Sequence, residues 1–140
     1  MNSIFIVLVS VIAGILTYTI SITLKKGAVF ASAIVTLISG IIFPHFFLEM
    51  GNSLMAVATC ASYAGMVSVK NISKVVEMAA LSAIVGIMFV ITTNAYLGIG
   101  GRLGTIAALS YFTWLGIKRV YNKLAIQALS ENYDTLYLTK

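Results

Sequence analysis

From Ile4 to Leu24 the chain runs for 21 residues without a charged side chain. At about 1.5 Å of rise per residue, a helix of that length covers about 30 Å, the thickness of a bilayer's hydrocarbon core. No water is available at that depth, so a crossing segment has to satisfy its own backbone N–H and C=O groups. Helix is therefore the conformation expected of this run. Lys25-Lys26 follows it rather than a small-residue cleavage site, and no basic residue precedes it. That pattern is a retained span, not a signal peptide.

Four further runs follow: Ala28–Leu48, Ser53–Val69, Val75–Leu97 and Leu103–Ile117. The last has only 15 apolar residues before Lys118-Arg119, but long basic side chains snorkel, extending the usable helix to about Tyr121. Charged residues make up 9% of the chain and hydrophobic ones 60%, against about 25% and about 45–50% in soluble domains. The expected fold is all-α: a polytopic integral membrane protein of about five transmembrane helices over residues 1–121, with a short tail over 122–140.

Ser53–Val69 is the shortest run after the last, and reads either as a span with little tilt or as a re-entrant hairpin. Charge separates the two. With five crossings and the N-terminus outside, Lys25, Lys26, Lys70, Lys74, Lys118, Arg119, Lys123 and Lys140 share the cytoplasmic face and only Arg102 lies outside. A non-crossing third segment divides the nine basic residues six against three. The positive-inside rule favours five crossings, an external N-terminus, a cytoplasmic C-terminus and a multi-pass place in a prokaryotic-type inner membrane.

Small and hydroxyl side chains fall at helical steps in two runs: Ser10, Gly14, Thr17 and Ser21 in the first, and Ser53, Ala56, Cys60, Ala64 and Ser68 in the third. Such stripes suit close helix–helix contact in lipid. The first stripe also reads as a polar pathway lining. Lys74 and Glu77 stand three apart, the spacing of a helix-surface ion pair. Lys25-Lys26-Gly27 and Arg102-Leu103-Gly104 align at an offset of 77 residues and would face opposite sides of the membrane, as inverted repeats do.

Little reactive chemistry is visible. No zinc-protease, Walker or nucleophile-elbow motif occurs, and the single histidine has no second His or Cys beside it. Neither a metal nor a cofactor is expected, and an enzyme is not. The lone Cys60 cannot form an internal disulfide. A net charge of +5 comes from short clusters at the ends of apolar runs, a topology signal rather than a nucleic-acid footprint.

Two places stand out. Gly98-Ile-Gly-Gly-Arg-Leu-Gly104 opens onto a helix N-terminus, where unpaired N–H groups and the dipole favour negative charge. Gly100, Gly101, Arg102, Gly104 and Thr105 are thus candidates for binding an anionic substrate. The alternative is a tight external turn in which Arg102 reaches lipid phosphates or a partner subunit. Pro44 removes a helical hydrogen bond four residues after Gly40 and should bend its helix, while His45 and Glu49 stand one turn apart. These three are candidates for gating or proton transfer. Two functions fit: a small channel or transporter subunit moving an ion or small solute as an oligomer, or a non-catalytic anchoring or assembly subunit of a larger membrane complex. Expected partners are membrane lipids, further copies of the chain or other membrane subunits.

Overall fold

The computed structural model describes residues 3–67, 71–72, 74–92, 95 and 100–138, with side chains as far as residue 127. These residues form five helices and no strand: α1 (Ser3–Leu24), α2 (Ala28–Phe46), α3 (Gly51–Ala64), α4 (Val75–Ile91) and α5 (Arg102–Leu138). Two of them, α1 and α2, are long and apolar enough to cross a membrane, while α4 is apolar but shorter.

Successive helices reverse direction. Ser10 of α1 reaches Ser82 of α4, and Tyr18, two turns further along α1, reaches the Ile72 carbonyl just before α4 begins. Glu77 near the start of α4 meets Lys118 of α5, while Phe89 near the end of α4 lies under Arg102, where α5 starts. Cys60 of α3 lies against Leu103 and Val67 beside Tyr111, so α3 and α5 run the same way. One end of the bundle therefore gathers Lys25, Lys26, Lys74 and Lys118, and the other Pro44, His45, Glu49 and Arg102. Lys70 lies outside the described residues.

The shortest of these helices is the hub. At 14 residues α3 extends for about 21 Å, and it is in contact with all four others, whereas α2 touches only α1 and α3, and α5 only α3 and α4. Small side chains make this possible: Ala58, Cys60, Ala61, Ser62 and Ala64 are all buried. The helix starts two residues before the run read from the sequence and ends five before its close, because Gly65 closes it against α1. A Cβ on Gly65 would lie 2.8 Å from the Thr17 Cβ. Of the expected stripe, Cys60 and Ala64 are buried, Ser53 and Ala56 are half-buried, and Ser68 lies outside the described residues.

Glycine also sets the α1–α4 contact. A Cβ on Gly14 would overlap Ser82 Oγ, and one on Gly86 would come within 2.9 Å of the Val7 Cα. The hydroxyl of Ser82 lies over the Gly14 Cα and has no conventional hydrogen-bond partner, an arrangement that suits a weak Cα–H···O contact. The α1 stripe is thus buried at Ser10, Gly14 and Thr17, and its hydroxyls are already engaged: Ser10 donates to the Ser82 carbonyl and Thr17 to Ala13 four residues back. It packs helices rather than lining a path.

The interior is mainly apolar, and much of the outer surface is apolar as well. Buried polar residues are all Ser or Thr, with no charged residue among the described buried ones. Large aliphatic side chains point outward along much of α1 and α2, with Ile4 76% and Leu37 66% exposed. Past Lys118, α5 continues unbroken through Leu138, so residues 122–138 are helical and continuous with the fifth run. Residues 121–127 are exposed throughout.

Candidate functional site

Arg102 is the first residue of α5, and its turn is made by Gly101 at φ +81°, a left-handed conformation that favours glycine. Its Nη2 donates to the Thr92 carbonyl at 3.0 Å, and the guanidinium lies 5.6 Å over the Phe89 ring. Both partners belong to the last turn and cap of α4, where unsatisfied carbonyls and the negative end of the dipole attract a cation. Arg102 thereby ties the end of α4 to the start of α5. Thr105 folds its hydroxyl back onto the Gly101 carbonyl at 3.2 Å. Gly100, Gly101 and Gly104 face open space: an added Cβ at any of them meets nothing within 4 Å. The five candidates are thus neighbours, with the arginine engaged on α4. Gly98 lies outside the described residues.

Gly104 is helical, the third residue of α5, whereas Gly27 has φ +100° and stands before α2. The two are not equivalent turn residues, and the repeat suggested by their spacing is not carried by the backbone.

Pro44, His45 and Glu49 come together differently from the sequence expectation. Helix α2 ends at Phe46, two residues after the proline, so His45 and Glu49 do not share a helical face. Both are exposed, with no hydrogen bond or ion pair between them, and His45 stands edge-on to Phe46 at 5.5 Å. Pro44 packs on the first residue of α3: a Cβ on Gly51 would lie 2.7 Å from the Pro44 Cα and 2.5 Å from the Phe43 carbonyl oxygen. The proline shapes a tight α2–α3 corner.

Two polar groupings escaped the sequence reading. At the Lys25 end, Lys118 Nζ contacts both Glu77 carboxylate oxygens, at 2.9 and 3.1 Å, and the Asn71 carbonyl at 3.3 Å. Asn71 Nδ2 in turn donates to the Tyr111 hydroxyl at 2.8 Å. Glu77 therefore pairs across helices with Lys118 and not with Lys74, which precedes α4 in extended conformation and so does not share its helical face. The second grouping centres on Ser62. Its one hydroxyl proton goes to the Thr59 carbonyl at 2.8 Å, leaving its oxygen to accept from Ser32 at 3.0 Å and Thr36 at 3.2 Å. Ser32 and Thr36 stand four apart on α2, a spacing that would have marked one helix face.

That second grouping borders an open groove. The outward face of α3 forms the floor of a groove walled by α2 and α5, with hollows of about 420 and 430 Å³ on either side of Tyr63 and Met66. Ser32, Ala33 and Thr36 line the α2 side, and Gly104, Ala107 and Ala108 the α5 side. Small residues keep the walls low. No cluster of His, Cys, Asp and Glu suited to a metal occurs among the described residues. No family model matches the chain, and neither a curated protein nor a solved structure does.

Proposed function

We propose that this chain is a multi-pass protein of a prokaryotic-type inner membrane, acting as a transport or channel subunit whose conduit forms between copies of the chain. The membrane assignment is carried by one observation: large aliphatic side chains cover the outside as well as the interior, and the buried polar residues among the described ones are Ser and Thr alone. In water, this much contiguous apolar surface would aggregate; in lipid it is the normal exterior. Alternating helix directions and the gathering of lysines at one end support an external N-terminus and a cytoplasmic C-terminal helix. The helices shorter than a full span are accommodated by local thinning, snorkelling at Lys118 and Arg119, and burial of α3 among its neighbours.

A path through the single bundle is disfavoured by its packed centre, where α3 touches every other helix. The groove over α3 is the better place, because two such grooves facing each other would enclose the hollows that small residues of α2 and α5 leave open. Arg102 lies two residues before Gly104 of the α5 wall, with its guanidinium on α4, and in this reading its charge would favour an anionic solute at that end of the space. The test is purification of the full chain in mild detergent followed by reconstitution. A discrete homo-oligomer that passes small anions, with flux lowered more by Arg102→Ala than by Lys123→Ala, agrees with the reading.

The second reading is a non-catalytic anchoring or assembly subunit. It is favoured by the absence of any buried charged residue among the described ones, since ion-coupled carriers usually hold one. A chain that moves no solute and stays folded only with a co-purifying membrane protein belongs to this second class.

A further inference from the structure

We propose that the cleft between α1 and α2 holds an acyl chain of an anionic phospholipid whose headgroup is bound by Lys25 and Lys26. The proposal rests on the membrane reading above and adds a defined lipid site to it. The cleft has a volume of about 520 Å³, with Ala13 and Val35 at its floor and Leu8, Ile12, Leu16 and Ile38 at its rims. From Phe5 to Ile20 it follows α1 for about 22 Å, longer than the roughly 15 Å depth of one leaflet's hydrocarbon. Its single polar side chain, Ser39, donates its hydroxyl to the Val35 carbonyl at 2.6 Å and offers no proton to a ligand. The lining is suited to methylenes.

The two ends differ, and the difference sets the orientation of the lipid. At one end, Phe5 and Phe43 close the cleft, with Phe47 packed against both at ring separations of 5.9 and 6.4 Å. At the other end, Lys25 and Lys26 follow about 7 Å beyond Ile20, the depth at which hydrocarbon gives way to headgroups. Both lysines are exposed, and neither has an ion-pair partner among the described residues. The only described carboxylate at that end, Glu77, is held by Lys118. Two cations without an ion-pair partner at that end of the cleft, Lys26 with its ammonium 5.8 Å over the Phe30 ring, fit a lipid with a negative headgroup and discriminate against a zwitterionic one. A second copy of the chain laid over the cleft would instead bring aliphatic side chains to it and leave the lysines without counter-charge.

The test uses the full chain, reconstituted into vesicles of equal phosphatidylglycerol and phosphatidylcholine, then re-extracted in mild detergent and weighed intact by native mass spectrometry. The wild-type chain is expected to retain phosphatidylglycerol in preference to phosphatidylcholine. At the strength typical of a lysine near an anionic surface, Lys25→Gln or Lys26→Gln alone lowers that preference by about fivefold and the pair by about thirtyfold. Lys123→Gln leaves it unchanged, and Ile12→Trp, which covers the rim, lowers retention of both lipids. Equal retention of the two lipids, a preference that survives Lys25→Gln/Lys26→Gln, or a dimer that excludes lipid from the cleft overturns the proposal. Release of the chain from membranes by alkaline carbonate would instead overturn the membrane reading beneath it.

Discussion

Ser10 and Ser82 join α1 to α4 by a 2.6 Å hydrogen bond from hydroxyl to backbone carbonyl, although 72 positions separate them. One turn from each is a glycine, Gly14 on α1 and Gly86 on α4, and each admits the other helix where a side chain would not fit. In the membrane setting proposed above, lipid supplies no hydrophobic drive between helices, so close backbone approach and interhelical hydrogen bonds have to hold them together. This pair of crossings does both.

Enlarging Gly14 should therefore be costly. Gly14→Val would push α1 away from Ser82 and Met78 and is expected to destabilise the bundle by about 1–3 kcal/mol, the range for overpacked cores. Gly116→Ala, which meets open space inside α5, should cost nothing and add up to about 1 kcal/mol of helix stability. Denaturant titration in detergent measures both, and equal stability of the two variants would contradict the close approach.

The Glu77–Lys118 pair is partly exposed, with the side chains 21% and 34% accessible, so its coupling should be modest. A double-mutant cycle with Glu77→Gln and Lys118→Met should return up to about 1 kcal/mol. The same cycle with Lys74→Met should return none. Coupling to Lys74 in place of Lys118 would argue against the α4–α5 register.

Ser62→Ala removes the shared acceptor of Ser32 and Thr36 and the donor to Thr59. The expected loss is about 0.6–1.7 kcal/mol, from the average to the largest value measured for side-chain hydrogen bonds between membrane helices. Thr113→Ala, whose hydroxyl bonds only within α5 on an exposed turn, should lose less. Thermal unfolding of both variants decides the order.

Arg102→Ala should loosen the α4–α5 corner by about 1.5–3 kcal/mol, because a charge-assisted bond to Thr92 is removed along with the stack on Phe89. Arg102→Lys keeps the charge but not the planar guanidinium, and should recover only part of that loss. Full recovery by lysine would show that charge alone is required there.

Much of the architecture was legible because an uncharged run and a helix are nearly the same statement in this chain. The first run, Ile4–Leu24, matches α1 to within a residue, and the second overshoots α2 by two residues where Pro44 brings the helix to its end. Less legible was whatever depends on a distant partner. Glu77 has a lysine three residues before it, yet bonds one 41 positions away. Arg102 was legible as a lone cation by a glycine turn, but its anchors, Thr92 and Phe89, leave no spacing signal. The reach of α5 past Lys118 was missed for another reason: its apolar stretch ends there, but a helix does not need apolarity to continue. Residues 118–127 contain neither Gly nor Pro to stop it.

Threading is the claim on which the functional account stands, and single cysteines read it most directly. On a Cys60→Ala background, Asn71→Cys lies at the Lys25 end and Gly100→Cys at the Arg102 end, where an added side chain meets open space. An impermeant thiol reagent applied to intact cells should label position 100 and spare position 71 until the membrane is opened. Labelling of both positions from outside, or of position 71 alone, would contradict the account.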